Sequence, residues 1–417
     1  MIARPETWSR PAEAPIAAAL VLAAVGIFAT SWGTLHRGFY GRTQIVDTPV
    51  YERYGDLMAH GKIPYRDFSI EYPPGALPAF VLPALGHAEK TDSDAFRRAF
   101  ERLMLLCGAV AIVLVGLTLR SLEAGPRRLA AALGFVSLAP LAVGSVLLSR
   151  YDLWPAALAA GAIAALAAGR LRLGSGLLAL GAVTKLYPVV VLPLVLVEAW
   201  RRGGRREAMR CGLVFAGVAA AVIGPFVALS PGGTRWTLSR QLTRPLQLES
   251  LGSSFLLAAH QAFGLGITMK SGAGSQNLVG TLPDVLATLQ SALLAAVLIG
   301  LWIAYARGPG GAERLVRYSA ATVVAFVTVG KVLSPQYLIW LIPLVPLVRG
   351  RRGLAASALL LVAFAVTQVW FPFRYWDLAL HFDPLASWLV PLRDLLLVGV
   401  LAVLAWPTGP RAPARTT

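Results

Sequence analysis

The residues of this chain best placed to do chemistry are one acid in a polar stretch and several cations at breaks between apolar runs. Asp47 stands in Ile45-Val46-Asp47-Thr48-Pro49, ahead of a short helical pattern that runs to Gly61. Thr48 followed by Pro49 reads as a helix N-cap with proline at the first helical position. Gly61 reads as the stop. Two uses of Asp47 follow: it is itself the cap, or its carboxylate is aimed at a site on the membrane surface. Glu71 and Tyr72 come next, in Ile70-Glu71-Tyr72-Pro73-Pro74-Gly75. There Glu71, like Asp67, reads equally as a structural loop acid.

The cations fall at three places. Arg150 and Asp152 lie in Ser149-Arg150-Tyr151-Asp152, with almost no loop between two apolar runs. Lys185 and Tyr187 lie in Thr184-Lys185-Leu186-Tyr187-Pro188. Lys331 opens Lys331-Val332-Leu333-Ser334-Pro335-Gln336-Tyr337, which also supplies Gln336 and Tyr337. Ionisable groups at membrane depth are costly and usually face a cavity or a partner. A lone Lys or Arg near a span end also reaches the interface by snorkelling. Three independent basic sites on one face instead read as a receiver for an anionic lipid headgroup. Asp152 is either part of that receiver or the salt-bridge partner of Arg150.

Such side chains need rigid carriers, and the composition says what these are. Of 417 residues, 56% are hydrophobic and 14% charged, with a mean hydropathy of +0.64 and a net charge of +17. A soluble domain carries about 25% charged residues. The basic excess accompanies repeated apolar runs, so it reads as membrane topology and not as nucleic-acid binding. Residues 15–33, 98–119, 129–149, 152–168, 211–229, 284–305, 315–331, 353–371 and 388–406 are span candidates, with the shorter 335–348. The first follows Arg4 and Arg10 and reads as a retained signal anchor. The apolar stretch 173–199 is either one span or a hairpin turning at Lys185, and 77–86 is too short to cross easily. Charge favours the hairpin, because it puts the five arginines of 200–210 on the same side as the other Arg-containing short loops. Each hairpin arm of about 12 residues then rises roughly 18 Å, short of a 30 Å core.

The expected fold is all-α: a single polytopic membrane unit over 1–417 with about 12 transmembrane helices and both termini cytoplasmic. Two long extracytoplasmic loops result, 34–97 and 230–283, each with juxtamembrane helices. The second contains Arg235, Arg240, Arg244 and Glu249, and an amphipathic stretch Ser254–Phe263 expected on the membrane surface. The ends, 1–14 and 407–417, are expected to be loose. The chain shows no Walker motif, no G-x-G-x-x-G opening a helix and no His/Cys cluster. Cys107 and Cys211 sit in or beside apolar runs, and the five histidines, including His87, are scattered. No metal and no cofactor are expected.

The sequence resembles the GT-C class of polytopic glycosyltransferases, and within it glycosyltransferase family 87, polyprenol-phosphate-mannose-dependent mannosyltransferases. The likeness rests on Asp47 to Tyr65 with its Gly-x-x-Pro-Tyr ending, on Ile70–Gly75, on Ser149–Asp152 with Thr184–Pro188, and on Ser334–Tyr337. It implies inverting transfer at the extracytoplasmic face of a bacterial plasma membrane. The donor would be a polyprenyl-phosphate-linked sugar and the acceptor a glycan or glycolipid. The family's first-loop aspartate, acting as general base, matches Asp47; Arg150, Lys185 and Lys331 match its lipid-phosphate cations. A carboxylate within reach of an acceptor hydroxyl removes its proton as the new bond forms, and fixed cations stabilise the departing phosphate. Tyr51, Tyr54, Tyr72 and Trp154 are candidates for stacking on sugar rings or for interfacial anchoring. The rival readings are a flippase or transporter of lipid-linked sugars, a surface-glycan polymerase or ligase, and a non-catalytic assembly protein.

Overall fold

The apolar runs fold as helices because a backbone in hydrocarbon must satisfy its own hydrogen bonds. The structure, a computed structural model, describes residues 13–85 and 93–406. Of the ends expected to be loose, 1–12, with Arg4 and Arg10, and 407–417 lie outside the described residues, as does His87, while Glu13 and Ala14 already belong to the first helix.

In chain order the helices are α1 (Glu13–Thr34), α2 (Thr48–Ala59), α3 (Leu77–Ala84), α4 (Ser93–Ser121), α5 (Pro126–Val143), α6 (Val146–Ser149), α7 (Leu153–Ala167) and α8 (Leu171–Thr184). They continue with α9 (Leu192–Leu229), α10 (Pro231–Leu242) and α11 (Leu251–Phe263). A small antiparallel hairpin follows, β1 (Thr268–Gly272) with β2 (Ser275–Val279), then α12 (Thr281–Arg307), α13 (Ala312–Val329), α14 (Gly350–Trp370), α15 (Tyr375–His381) and α16 (Pro384–Ala405). The all-α, polytopic expectation holds, and the hairpin in the second long loop is the one strand pair among the described residues.

Among the described residues seven helices are long and apolar enough to cross a membrane; one of them, Tyr187–Leu229, bends at Gly203–Gly204. Leu153–Ala167, Leu171–Thr184 and Pro335–Leu347 are shorter apolar segments. With α13, which carries Glu313, Arg314 and Arg317 in its first turns, these are the shorter members of the expected set of about 12. The stretch 173–199 does turn at Lys185, where the backbone leaves α8 in an extended conformation.

Three expectations are corrected. The run 129–149 is not one helix: it breaks at Gly144, giving α5 and the short α6. The segment 335–348 is two 3-10 turns, Pro335–Leu341 and Val345–Leu347, because its three prolines deny the backbone donors an α-helix needs. The face proposed for Ser254–Phe263 is split. Leu256 is buried while Phe255 and Phe263 are exposed, and α11 turns Gly252, Ser253, Leu256 and Leu257 inward, packing against α16.

The arginine-rich turns gather at one end. Arg128 pairs with Glu313 at 2.6 Å, Arg172 with Glu207 at 2.6 Å, and Arg202 with Glu198 at 2.9 Å. The two long loops and the turns at Arg150, Lys185 and Lys331 gather at the other, where the chemistry-bearing residues meet.

Candidate active site

Local sequence decides where Asp47 points. The backbone of Asp47 occupies the N-cap position of α2, one residue earlier than the Thr48 cap expected, and Pro49 falls within the first turn. Yet the Asp47 side chain makes no capping hydrogen bond. Its Oδ2 forms an ion pair with Nη1 of Arg150 instead, and Tyr51 Oη donates to the same oxygen at 3.4 Å. The Asp47 side chain stays 31% exposed while that of Arg150 is 7% exposed, so the acid is the partner that an incoming molecule meets first. Arg150 leaves α6 in an extended conformation. Its Nη2 and Ser149 Oγ both donate to the Ile45 carbonyl, at 3.4 and 3.3 Å, stitching the first loop to the start of α7. Gly61 sits in the left-handed region just past α2, as expected of a stop.

The partner of Asp152 is Lys185, so of its two readings the bridge to Arg150 is not formed and the place beside the Lys185 site is. Lys185 Nζ donates to Asp152 Oδ1 at 2.6 Å, and Trp340 Nε1 donates to the same oxygen at 2.6 Å. Asp152 is completely buried, so it anchors Lys185 and does not itself present a surface to substrate. The ammonium lies 4.7 Å from the Tyr151 ring centroid, 5.1 Å from Trp340 and 5.3 Å from Tyr337. Desolvated cation–π contacts of this kind contribute about 2 kcal/mol. Tyr187 was expected to contact substrate. Instead it is fully buried, stacked on Trp340 at 4.2 Å, with its hydroxyl donating to the Pro155 carbonyl. Pro188 directs the chain back into the bundle, and Tyr187 props the tryptophan that holds Asp152.

The Ile70–Gly75 stretch docks the first loop on this turn. The Gly75 carbonyl accepts from Trp154 Nε1 at 3.2 Å and from Thr184 Oγ1 at 3.1 Å. A Cβ at Gly75 would meet the Thr184 nitrogen at 2.8 Å, so glycine is required for the approach. Tyr72 packs edge-on against Tyr51 and Tyr151, and Tyr51 is fully buried on Phe80. Tyr51 lacks the open face that sugar stacking needs, whereas Trp154 is half-buried with its indole N–H committed to Gly75. Glu71 pairs with Arg240 at 3.3 Å and so ties the first loop to α10. Asp67 is held down to about 2 by hydrogen bonds from Arg66 and the Ile63 backbone. Both behave as loop acids.

The third basic site is joined to the second loop. The Lys331 carbonyl accepts from Gln247 N at 3.0 Å, and Ser334 Oγ accepts from Gln247 Nε2 at 2.7 Å. Lys331 and Gln336 are half-buried, and Tyr337 stacks on Trp340 at 4.1 Å. Reading the sequence missed five neighbours: Arg244, Gln247, Glu249, Trp340 and Tyr375. Arg244 and Glu249 were visible as rare charges in an apolar chain, but nothing in their spacing assigned them here. Glu249 is buried outside the spans; burial pushes its carboxyl up to about 7 against the opposing pull of Arg393 and of the Gln247 amide. Glu249 and Tyr375 both lie within electrostatic reach of Arg150. Among the described residues no group of His, Cys, Asp and Glu is placed to hold a metal ion.

One partly exposed acid thus stands beside a buried arginine and half-buried lysines at one end of the helical bundle. That geometry suits transfer chemistry in which a hydroxyl loses a proton and an anion departs. The sequence profile of Glycosyltransferase family 87 matches residues 70–335, well over half of the chain. The chain belongs to that family, and it is a membrane glycosyltransferase. In fold it is similar to a solved structure, ArnT from Cupriavidus metallidurans bound to undecaprenyl phosphate, at 16% identity and a TM-score of 0.47, covering 93% of this chain and 76% of that one. That likeness is too loose to carry residue roles across. No curated relative matches the sequence.

Proposed function

We propose that the chain moves a hexose, mannose, from a polyprenyl-phosphate sugar to an extracytoplasmic glycan or glycolipid acceptor, with inversion and with Asp47 as general base. The observation that carries this reading is the meeting of Asp47, Arg150 and Lys185. They come from three separate turns yet form one continuous group through Tyr151 and Asp152. The acceptor hydroxyl approaches Asp47, gives up its proton and bonds to the anomeric carbon. The bond from that carbon to the phosphate oxygen breaks on the opposite face, and its electron pair leaves with the polyprenyl phosphate. Cations fixed in a site that excludes water stabilise that charge more than the same cations in water would.

The test is donor choice by the purified protein. Transfer from polyprenyl-phosphate mannose is expected, and none from GDP-mannose. Equal use of the nucleotide sugar would reject the lipid donor.

A further inference from the structure

Arg244 joins Lys185 and Lys331 at this end of the bundle. Asp152 is already engaged by Lys185 and Trp340. Glu249 takes a hydrogen bond from Gln247 Nε2. Arg244 lies within repulsive electrostatic reach of both Lys185 and Lys331. It arrives from the second loop, two residues past α10, and is held by the hairpin. Its Nη2 donates to Ser275 Oγ at 2.9 Å, and Ser275 Oγ donates in turn to Asn277 Oδ1 at 2.9 Å. Its guanidinium also reaches Tyr337. Its Nε is buried without a hydrogen-bond partner. A buried donor left unsatisfied, beside two like charges, is costly unless something anionic fills the space.

We infer that Arg244 is a donor-binding residue: its guanidinium, with the ammonium groups of Lys185 and Lys331, holds the phosphate of the lipid-linked sugar. Arg150, engaged with Asp47, serves the base. This rests on the donor reading above. A guanidinium presents a planar fork to a tetrahedral oxyanion, whereas the two lysines act as point charges. The sugar phosphodiester carries one negative charge. The polyprenyl phosphate that leaves carries up to two, so the same three cations hold the product side of the reaction more tightly than the donor.

The experiment measures binding of polyprenyl phosphate, with polyprenol as the uncharged control, to the full-length protein and to Arg244→Ala, Arg244→Lys and Ser275→Ala. Loss of one charge-assisted contact is expected to weaken polyprenyl phosphate about 10-fold or more in Arg244→Ala. Polyprenol binding should be unchanged, Arg244→Lys intermediate, and Ser275→Ala mildly weaker. In transfer assays the donor KM should rise while the acceptor KM stays the same. Polyprenyl phosphate binding unchanged in Arg244→Ala overturns the assignment, as does equal weakening of polyprenol. If Arg244→Ala does not fold, the Lys and Ser275→Ala variants decide: wild-type donor affinity in both overturns it. Inorganic phosphate is expected to leave the bound lipid in place; displacement would assign the pocket to free phosphate and overturn the headgroup reading. A wild-type protein that does not bind polyprenyl phosphate at all would reject the donor reading itself.

Discussion

At the scale of single residues, the buried pair Lys185–Asp152 has the most to lose. Asp152 is fully buried and its Oδ2 has no hydrogen-bond partner, so its charge depends on Lys185 and on one indole N–H. Removing one member of such a pair leaves an uncompensated buried charge, which costs about 3–5 kcal/mol. Lys185→Ala is therefore expected to lower the melting temperature markedly in detergent, and Lys185→Ala with Asp152→Asn to recover much of the loss. A single variant that melts like the wild type would show that the pair carries no such role. This partnership was not legible in the sequence. Asp152 stands two residues from Arg150, and nothing local says that a lysine from the next turn and a tryptophan from a distant one will reach it first.

At the scale of elements, the loops matter as much as the helices. Gly75 lets the first loop sit on the end of α8, directly beside Lys185. Gly75→Ala should push that loop outward and lower the transfer rate by at least about 10-fold, given how steeply catalysis falls with misplacement of about 1 Å. Wild-type kinetics in that variant would contradict the docking role. Glu249, ahead of α11, links the second loop to α16, because Arg393 Nη2 donates to its carbonyl at 2.7 Å. Its carboxyl, raised to about 7, holds its proton more tightly when folded than the ordinary side chain with its value of 4.5. The stability this gives is fully present below about 4.5, falls as pH rises through about 7, and then levels off. Melting temperatures across that window should show the slope in the wild type and a flatter profile in Glu249→Gln; identical profiles would contradict the assignment. The spans were readable because apolar runs of membrane length are distinctive, and the break at Lys185 because a lysine and a proline interrupt one. The β-hairpin was hidden in a polar stretch of ten strand residues with weak alternation, and the 3-10 turns at 335–347 in a run whose hydrophobicity looked like an ordinary helix.

At the scale of the whole molecule, the two ends of the bundle are expected to face different compartments. Arginine-rich turns collect at one end, and the loops with Asp47, Arg150, Lys185 and Arg244 at the other. Both native cysteines are buried, so single cysteines report cleanly. In intact cells a membrane-impermeant thiol reagent is expected to label Ser271→Cys, on the exposed hairpin, and to spare Arg205→Cys until the membrane is opened. The reverse pattern would put the site on the wrong side. The proposed transfer depends on Asp47 taking the acceptor's proton, and the most direct measurement compares Asp47→Asn with the wild type for transfer and for lipid binding on the same preparation. Transfer is expected to fall by about 100-fold or more, the range a general base supplies, with polyprenyl phosphate still bound. Full transfer by Asp47→Asn would contradict it.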